Sequence, residues 1–437
     1  MAYKTILYLF LILLSLPKIW QDPVNGIFVF VIMTYIRPEV ISYDQLVPFR
    51  LPLVISVFTL IAYLLQNKNR VNVNYRSSLN IIFFLFVLTQ INSTFSFAKA
   101  NSISFNYNIV MMKIWVFTFL MTRMINTTKK VNWFITANLI GIGFLSIWGF
   151  QQHFLGNIRL EDVGGGNYAN SNSLAAAVVQ FVPVFIALSF VKKLRAKIIL
   201  LFVGLIMVGV IVFTESRAAF VGVAIAGLML MIRSKKSFQF VIITLLILGA
   251  FYYAAINVTG YTERVSVDSM EKEKYSERVV LWKAAWNIGI DHPLTGVGLQ
   301  NFQFYSAQYI TEELGAERVS FSRGDAHNTF LLILAEGGFI AFFLLLLMIF
   351  IFFRDIRLLR KAFKNNTEYT HLLAGLEAGM VAFLFANMFH SMAYMESFYW
   401  FLFLPSILKS IITQEEYDDR RLQELKFDLK FRDGDGG

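Results

Sequence analysis

The chain has 437 residues, of which 57% are hydrophobic and 16% charged, with a formal net charge of +10 and no cysteine. That composition excludes an ordinary soluble protein of this size, and the missing thiols exclude a disulfide framework, a CxxC metal site and a cysteine nucleophile. The positive balance is not a nucleic-acid signature, because Lys and Arg sit in short loops between apolar runs, where they set topology.

In chain order the apolar runs are 6–16, 24–36, 51–65, 79–97, 109–125, 133–154, 174–191, 198–213, 218–232, 238–256, 329–353, 372–389 and 398–412. Most suit the crossing of a hydrocarbon core of about 30 Å. A bilayer offers backbone groups no hydrogen-bond partners, so the runs predict helices. The expected class is an all-α polytopic membrane protein with 12 or 13 spans. The uncertainty lies at the N-terminus, where 6–16 and 24–36 are short and flank Pro17-Lys18-Ile19-Trp20-Gln21-Asp22-Pro23. They read as two thin spans or one broken hairpin. Small-residue cleavage chemistry does not follow 6–16, so no cleavable signal peptide is expected.

Charge orients the spans. Loops 68–76, 123–130, 192–197, 233–236 and 354–364 carry 18 Lys plus Arg, whereas the alternating turns hold only Arg37, Arg50, Lys99, Arg159 and Arg217. The first set is expected in the cytoplasm. Residues 257–328 then form one large periplasmic loop, with 10 acids and 7 bases between Glu263 and Asp325. The expected organisation is 1–256 as N-terminal spans, 257–328 as the loop, 329–413 as C-terminal spans and 414–437 as a charged cytoplasmic tail. No internal repeat of the kind common in transporters is visible. No phosphate-binding glycine motif follows a strand.

Within this frame a few polar residues stand out. Arg217, in the turn Thr214-Glu215-Ser216-Arg217, opposes the charge rule at a span edge. Its guanidinium suits phosphate oxygens, or it pairs with Glu215 or reaches toward headgroups. Arg278 shares a helical spacing with Trp282 and Trp286, which predicts an amphipathic helix lying on the outer membrane surface, aromatic side down. Arg278 then faces lipid phosphates, or simply anchors the helix by pairing with Glu277. His327 precedes Asn328 and Thr329 at the mouth of an apolar run. A neutral imidazole there accepts a proton from a hydroxyl, or serves as a cap or interface residue. Glu336 falls about 13 Å deeper at 1.5 Å rise per residue; it is expected to be structural, pairing with an Arg of the site, beside a close helix contact at Gly337-Gly338. Asn387, His390 and Ser391 share a helix face and are expected to make interhelical hydrogen bonds. Asn170 and Asn172 line an outer pocket or start a helix. Five scattered histidines without cysteine argue against zinc.

Taken together, these residues carry a resemblance. Ser216-Arg217-Ala218-Ala219, then Arg278 with Trp282, then Pro293-Leu294-Thr295-Gly296-Val297-Gly298 with Asn301-Phe302, then His327-Asn328-Thr329-Phe330-Leu331 with Glu336-Gly337-Gly338 resemble the bacterial O-antigen ligase and polymerase superfamily. Tyr168 to Ala175 is similar to the family's Asn-containing segment, and Thr34-Tyr35-Ile36-Arg37-Pro38 is similar to a subgroup described as O-glycosylation ligases. The resemblance implies a glycosyltransferase C-like fold in the bacterial cytoplasmic (inner) membrane. It implies transfer of a glycan from undecaprenyl-diphosphate to an acceptor hydroxyl on lipid A-core, protein or another glycan, with no nucleotide, metal or other cofactor.

By the same resemblance, Arg217 and Arg278 hold the diphosphate, and His327 orients or deprotonates the acceptor. Ser216, Trp282, Asn328 and Asn172 join the substrate site, and Glu336, Gly296 and Gly298 support it. The expected function is a glycan ligase; a repeat-unit polymerase is the alternative within the class. A lipid-linked glycan flippase is the alternative outside it, although a transporter places more charge along mid-membrane spans.

Overall fold

The computed structural model describes residues 2–37, 40, 46–66, 78–233, 249, 275–314 and 325–432. The expected span 238–256, the first part of the 257–328 loop and the basic loop 68–76 lie essentially outside the described residues. What is described is all-helical. The helices are α1 (Ala2–Gln21), α2 (Val24–Ile36), α3 (Leu51–Gln66), α4 (Ser78–Phe97), α5 (Asn101–Met124), α6 (Thr128–Phe154), α7 (Ser171–Ser189), α8 (Leu194–Phe213), α9 (Arg217–Arg233), α10 (Tyr275–Asp291), α11 (Phe302–Leu314), α12 (Thr329–Ala362), α13 (Thr367–Ala386) and α14 (Glu396–Arg432). Among the described residues seven helices (α4 to α8, α12 and α13) are long and apolar enough to cross a membrane. Three shorter apolar helices, Thr5–Gln21, Val24–Ile36 and Leu51–Gln66, accompany them. The chain is a polytopic helical membrane protein.

The N-terminal segment forms two helices, α1 and α2, joined at a tight turn. The chain turns at Asp22-Pro23, where the Asn25 side chain donates to the Lys18 and Asp22 carbonyls at 2.9 and 3.0 Å. The tail boundary expected at 414 is not a break in structure, because α14 runs on through it.

The centre of the bundle is α7, buried along its whole length except at Asn172. A helix that is apolar all round has no outward face and must sit among others. Close approach comes from small residues on α13: a Cβ at Gly379 would lie 2.1 Å from the Gln180 carbonyl oxygen. In a bilayer this close packing does the work that water drives elsewhere.

Bases from four of the expected cytoplasmic loops gather at one end of the bundle. Glu377 bonds Arg233 at 3.1 Å and Arg360 at 2.5 Å. Asp355, fully buried, is paired with Lys409 and Arg354, both at 2.9 Å. Lys130 meets Asp22 at 3.2 Å, and Lys192 meets Glu368. The site residues lie at the opposite end.

Candidate functional site

The site is built where α12 begins. Asn328 caps this helix, its side-chain oxygen accepting from the Phe330 and Leu331 N–H groups at 3.0 and 3.1 Å. That leaves its amide NH2 as the part available to a ligand. His327, just before the cap, holds φ at 49°, a left-handed conformation that costs a non-glycine residue free energy and clusters at functional sites.

Thr329 ties a second segment to this point. Its N–H donates to the Asn387 carbonyl at 2.9 Å, and its hydroxyl lies 3.1 Å from Asn387 Oδ1 and 2.9 Å from the His390 carbonyl. The same oxygen accepts the Met392 N–H at 2.8 Å. The segment after α13 is therefore a pinned loop. Asn387, His390 and Ser391 do not share a helix face as expected, because α13 stops at Ala386 and Asn387 caps it. The pinned loop sets His390 against His327, with ring centroids 6.3 Å apart and planes 25° from parallel. His390 Nε2 also lies 2.9 Å from Ser173 Oγ, on the first turn of α7.

The electrostatics favour neutral imidazoles. Burial pushes His327 below the usual histidine range, and the Arg278 charge pushes it further. His390 is pushed down to about 3, by burial first and then by His327 and Arg278. Asp325 moves the other way: burial raises its carboxyl to about 6, against the pull of Ser391 and the Ala326 N–H. At neutral pH a carboxylate, two uncharged imidazoles and a guanidinium thus meet here. The arrangement offers a proton acceptor within the field of the exposed Arg278 guanidinium.

Arg278 projects from α10 as an exposed side chain. The helix buries Val280, Leu281, Ala284, Ala285 and Ile288. Its other face carries Trp286 and Ile290, each 50% exposed, beside the exposed Lys283 and Asn287. Trp282 approaches Phe389 of the pinned loop, centroids 6.1 Å apart.

Arg217 opens α9 and is exposed, and Ser216 beside it is buried. The preceding Glu215 turns the chain at φ 55°. The pairing of helices fixes their level: Arg233 of α9 bonds Glu377, while Gly222 packs on the Ala382 carbonyl. α9 and α13 are therefore antiparallel, which sets Arg217 level with the Asn387 end. The contact of Gly379 with Gln180 does the same for the start of α7. There Asn170 caps the helix by accepting from the Asn172 N–H at 2.9 Å, and Asn172 is half-buried. Arg217, Ser216 and Asn172 share the end of the bundle occupied by His327 and Arg278; no measured contact joins Arg217 to His327.

The glycine-rich loop after α10 has a definite task. α12 is broken at Gly338, where φ is 71° and ψ −176°. The break frees the Ala335 and Glu336 carbonyls, which accept from Val297 at 3.0 Å and Gly298 at 2.9 Å; Phe339 N–H donates instead to the Pro293 carbonyl at 2.7 Å. Backbone groups at membrane depth need such replacements. Gly296 holds φ at 64°, and a Cβ there would sit 2.4 Å from the Glu336 carbonyl carbon. Glu336 is expected to pair with an Arg of the site, but its partners among the described residues are not arginines. Its carboxylate accepts the Phe302 N–H at 3.2 Å and the Tyr394 hydroxyl, and its carbonyl also accepts from Ser93 Oγ at 2.6 Å. It is a buried knot between α4, α11, α12 and the pinned loop.

Sequence reasoning underrated Asp325, His390 and Ser391 and missed Ser173 and Tyr394. The available signal was polar residues crowding a span end at 387–394 opposite another at 325–329. Among the described residues no group of three or more His, Asp or Glu is placed to hold a metal.

The model of the O-antigen ligase family matches residues 202–346, an interval that includes Arg217, Arg278, His327 and the Gly338 break. The matched segment, about a third of the chain, is similar to the O-antigen ligase family and supports a membrane protein of the O-antigen ligase or polymerase type. No curated protein matches the chain.

Proposed function

We propose that this protein is a metal- and nucleotide-independent glycan ligase. It transfers a glycan from undecaprenyl-diphosphate to an acceptor hydroxyl at the periplasmic face of the inner membrane. The observation that carries this reading is the half-buried His327, in a left-handed conformation beside His390 and within electrostatic reach of Arg278, at the end of the bundle that also bears Arg217.

The chemistry is a single displacement. The acceptor hydroxyl gives its proton to a ring nitrogen of His327 as its oxygen bonds to the anomeric carbon. The bond from that carbon to the carrier's phosphate oxygen breaks, and the electron pair leaves with the diphosphate. One displacement inverts the anomeric centre. Arg217 and Arg278 stabilise the charge that grows on the leaving diphosphate, and two guanidinium groups suit that task through paired N–H donors. Arg278 does a second job by keeping His327 unprotonated and ready to accept. Asn328, Asn172, Ser216 and Trp282 complete the substrate surface.

Deletion of the gene in its host tests the subclass. Long carrier-linked glycan should accumulate when the ligase is lost. Accumulation of single carrier-linked repeats would instead identify a polymerase and overturn the ligase assignment.

A further inference from the structure

Beyond the reacting groups, α10 and α11 enclose an open groove of about 700 Å³. Its walls include Trp282, Lys283, Trp286 and Asn287 of α10, Tyr309 of α11 and Leu331 of α12. We propose that this groove is a carbohydrate subsite that holds the sugar residues next to the bond being made or broken. The inference rests on the glycan-transfer reading and deepens it by giving the glycan a place.

Position is the first argument. Trp282 lies one helical turn beyond Arg278, and Leu331 lies one turn beyond His327. The groove therefore starts at the two groups assigned to the diphosphate and the acceptor hydroxyl. A glycan joined at that point has to run along some surface, and this one is adjacent.

Lining is the second. A pyranose has apolar C–H faces and a rim of hydroxyls, so its binding surface needs flat aromatic faces with donors and acceptors at the margin. Trp282 and Trp286, four residues apart, present such rings on one side of α10. Trp286 is half exposed, and edge-on contact with Phe339 at 6.2 Å holds its ring. Lys283 and Asn287, also four apart, supply an ammonium and an amide to the same groove. The Tyr309 hydroxyl donates to Asp291, which fixes α11 against α10.

The lining disfavours an isoprenoid tail. A hydrocarbon chain laid in the groove would strip water from the exposed Asn287 amide and return no hydrogen bond, a costly exchange. The size suits a sugar segment, since pockets for compact ligands run from roughly 300 to 1,000 Å³.

The test uses full-length protein in lipid nanodiscs and calorimetric titration with two probes. One is the oligosaccharide released by mild acid from the host's carrier-linked glycan, which has neither diphosphate nor lipid. The other is farnesyl diphosphate. Wild-type protein should bind the oligosaccharide, and Trp286→Ala and Asn287→Ala should weaken that binding about tenfold or more. Trp286→Phe should restore most of it. Arg217→Ala should leave oligosaccharide binding unchanged while weakening farnesyl diphosphate. In transfer assays Trp286→Ala should raise KM for the glycan donor and spare kcat. Melting temperatures close to wild type confirm that the variants are folded. Wild-type protein that ignores the oligosaccharide, or variants that bind it equally well, would overturn the subsite. So would a Trp286→Ala variant that loses only farnesyl diphosphate, because the groove would then serve the lipid. Loss of the arginine clamp's effect on transfer, with the Trp286 effect intact, would strike the proposed mechanism and leave this site standing.

Discussion

The Gly298 N–H donates to the Glu336 carbonyl at 2.9 Å, an acceptor that the break in α12 at Gly338 leaves without its helical partner. One loop residue thus replaces a bond the helix gave up. The loop and the break are a single construction that sets the first turns of α12, and with them His327, at a fixed angle to the rest of the helix.

Gly296→Ala should therefore destabilise the protein more than its small volume suggests. The new Cβ meets backbone at 2.4 Å and φ is 64°, so no side chain can yield to it. Left-handed strain alone costs about 1–3 kcal/mol. A lowered melting temperature with reduced transfer is expected; a variant as stable as wild type would show that the loop does not brace the break.

Glu336 should prove structural. Glu336→Gln retains an oxygen for the Phe302 N–H or the Tyr394 hydroxyl, so most of the fold and activity should survive. Glu336→Ala leaves both donors buried and unmet, at about 1–3 kcal/mol each. Thermal unfolding should rank wild type above Gln and Gln above Ala. Abolished transfer in a fully stable Gln variant would move Glu336 into the chemistry.

Much of the helical framework is legible in the sequence. Apolar run length marks the seven described helices that suit a membrane crossing, because bilayer thickness acts on local sequence. The motifs around Arg217, Arg278 and His327 also stood out. Less legible were the contacts made by residues far apart in the chain. His390 meets Ser173 across 217 positions, and Thr329 holds Asn387 across 58. Neither partner's spacing hints at the other. His390 read as part of a helix because 372–389 is apolar to its end, yet the helix stops at Ala386 and frees the next residues to turn toward α12. The role of Gly296 and Gly298 was hidden for the same reason: a glycine pattern does not reveal which distant carbonyls it will serve.

Asp325 and His390 should pull the pH dependence of stability in opposite directions. The Asp325 carboxyl rises from 3.8 to about 6. Its acid form favours the fold below pH 3.8, and that contribution, up to about 3 kcal/mol, is lost as pH rises through about 6. The His390 imidazole falls from 6.5 to about 3. Its neutral form favours the fold above pH 6.5, and that contribution is lost as pH falls toward 3. Between these limits the two slopes oppose. Asp325→Asn should steepen acid destabilisation below pH 6.5, and His390→Gln should flatten it. Thermal unfolding at stepped pH checks both; curves parallel to wild type would contradict the assignments.

His390 should also matter to catalysis by holding its place beside His327. His390→Ala should lower kcat, and Ser173→Ala should do so less. The acid limb of kcat/KM in wild type should fall below pH 6.5, because burial and Arg278 depress His327. An acid limb above pH 6.5 would remove His327 as the base.

In the proposed reaction Arg278 and Arg217 stabilise the departing diphosphate without a metal. The most direct measurement is the rate of glycan transfer by purified protein in EDTA, for wild type and for Arg278→Ala. Wild type should work at full rate in EDTA, and the variant, still folded, should lose about 10²–10³ in kcat. Full activity in the Arg278 variant, or a wild type silenced by EDTA, would contradict it.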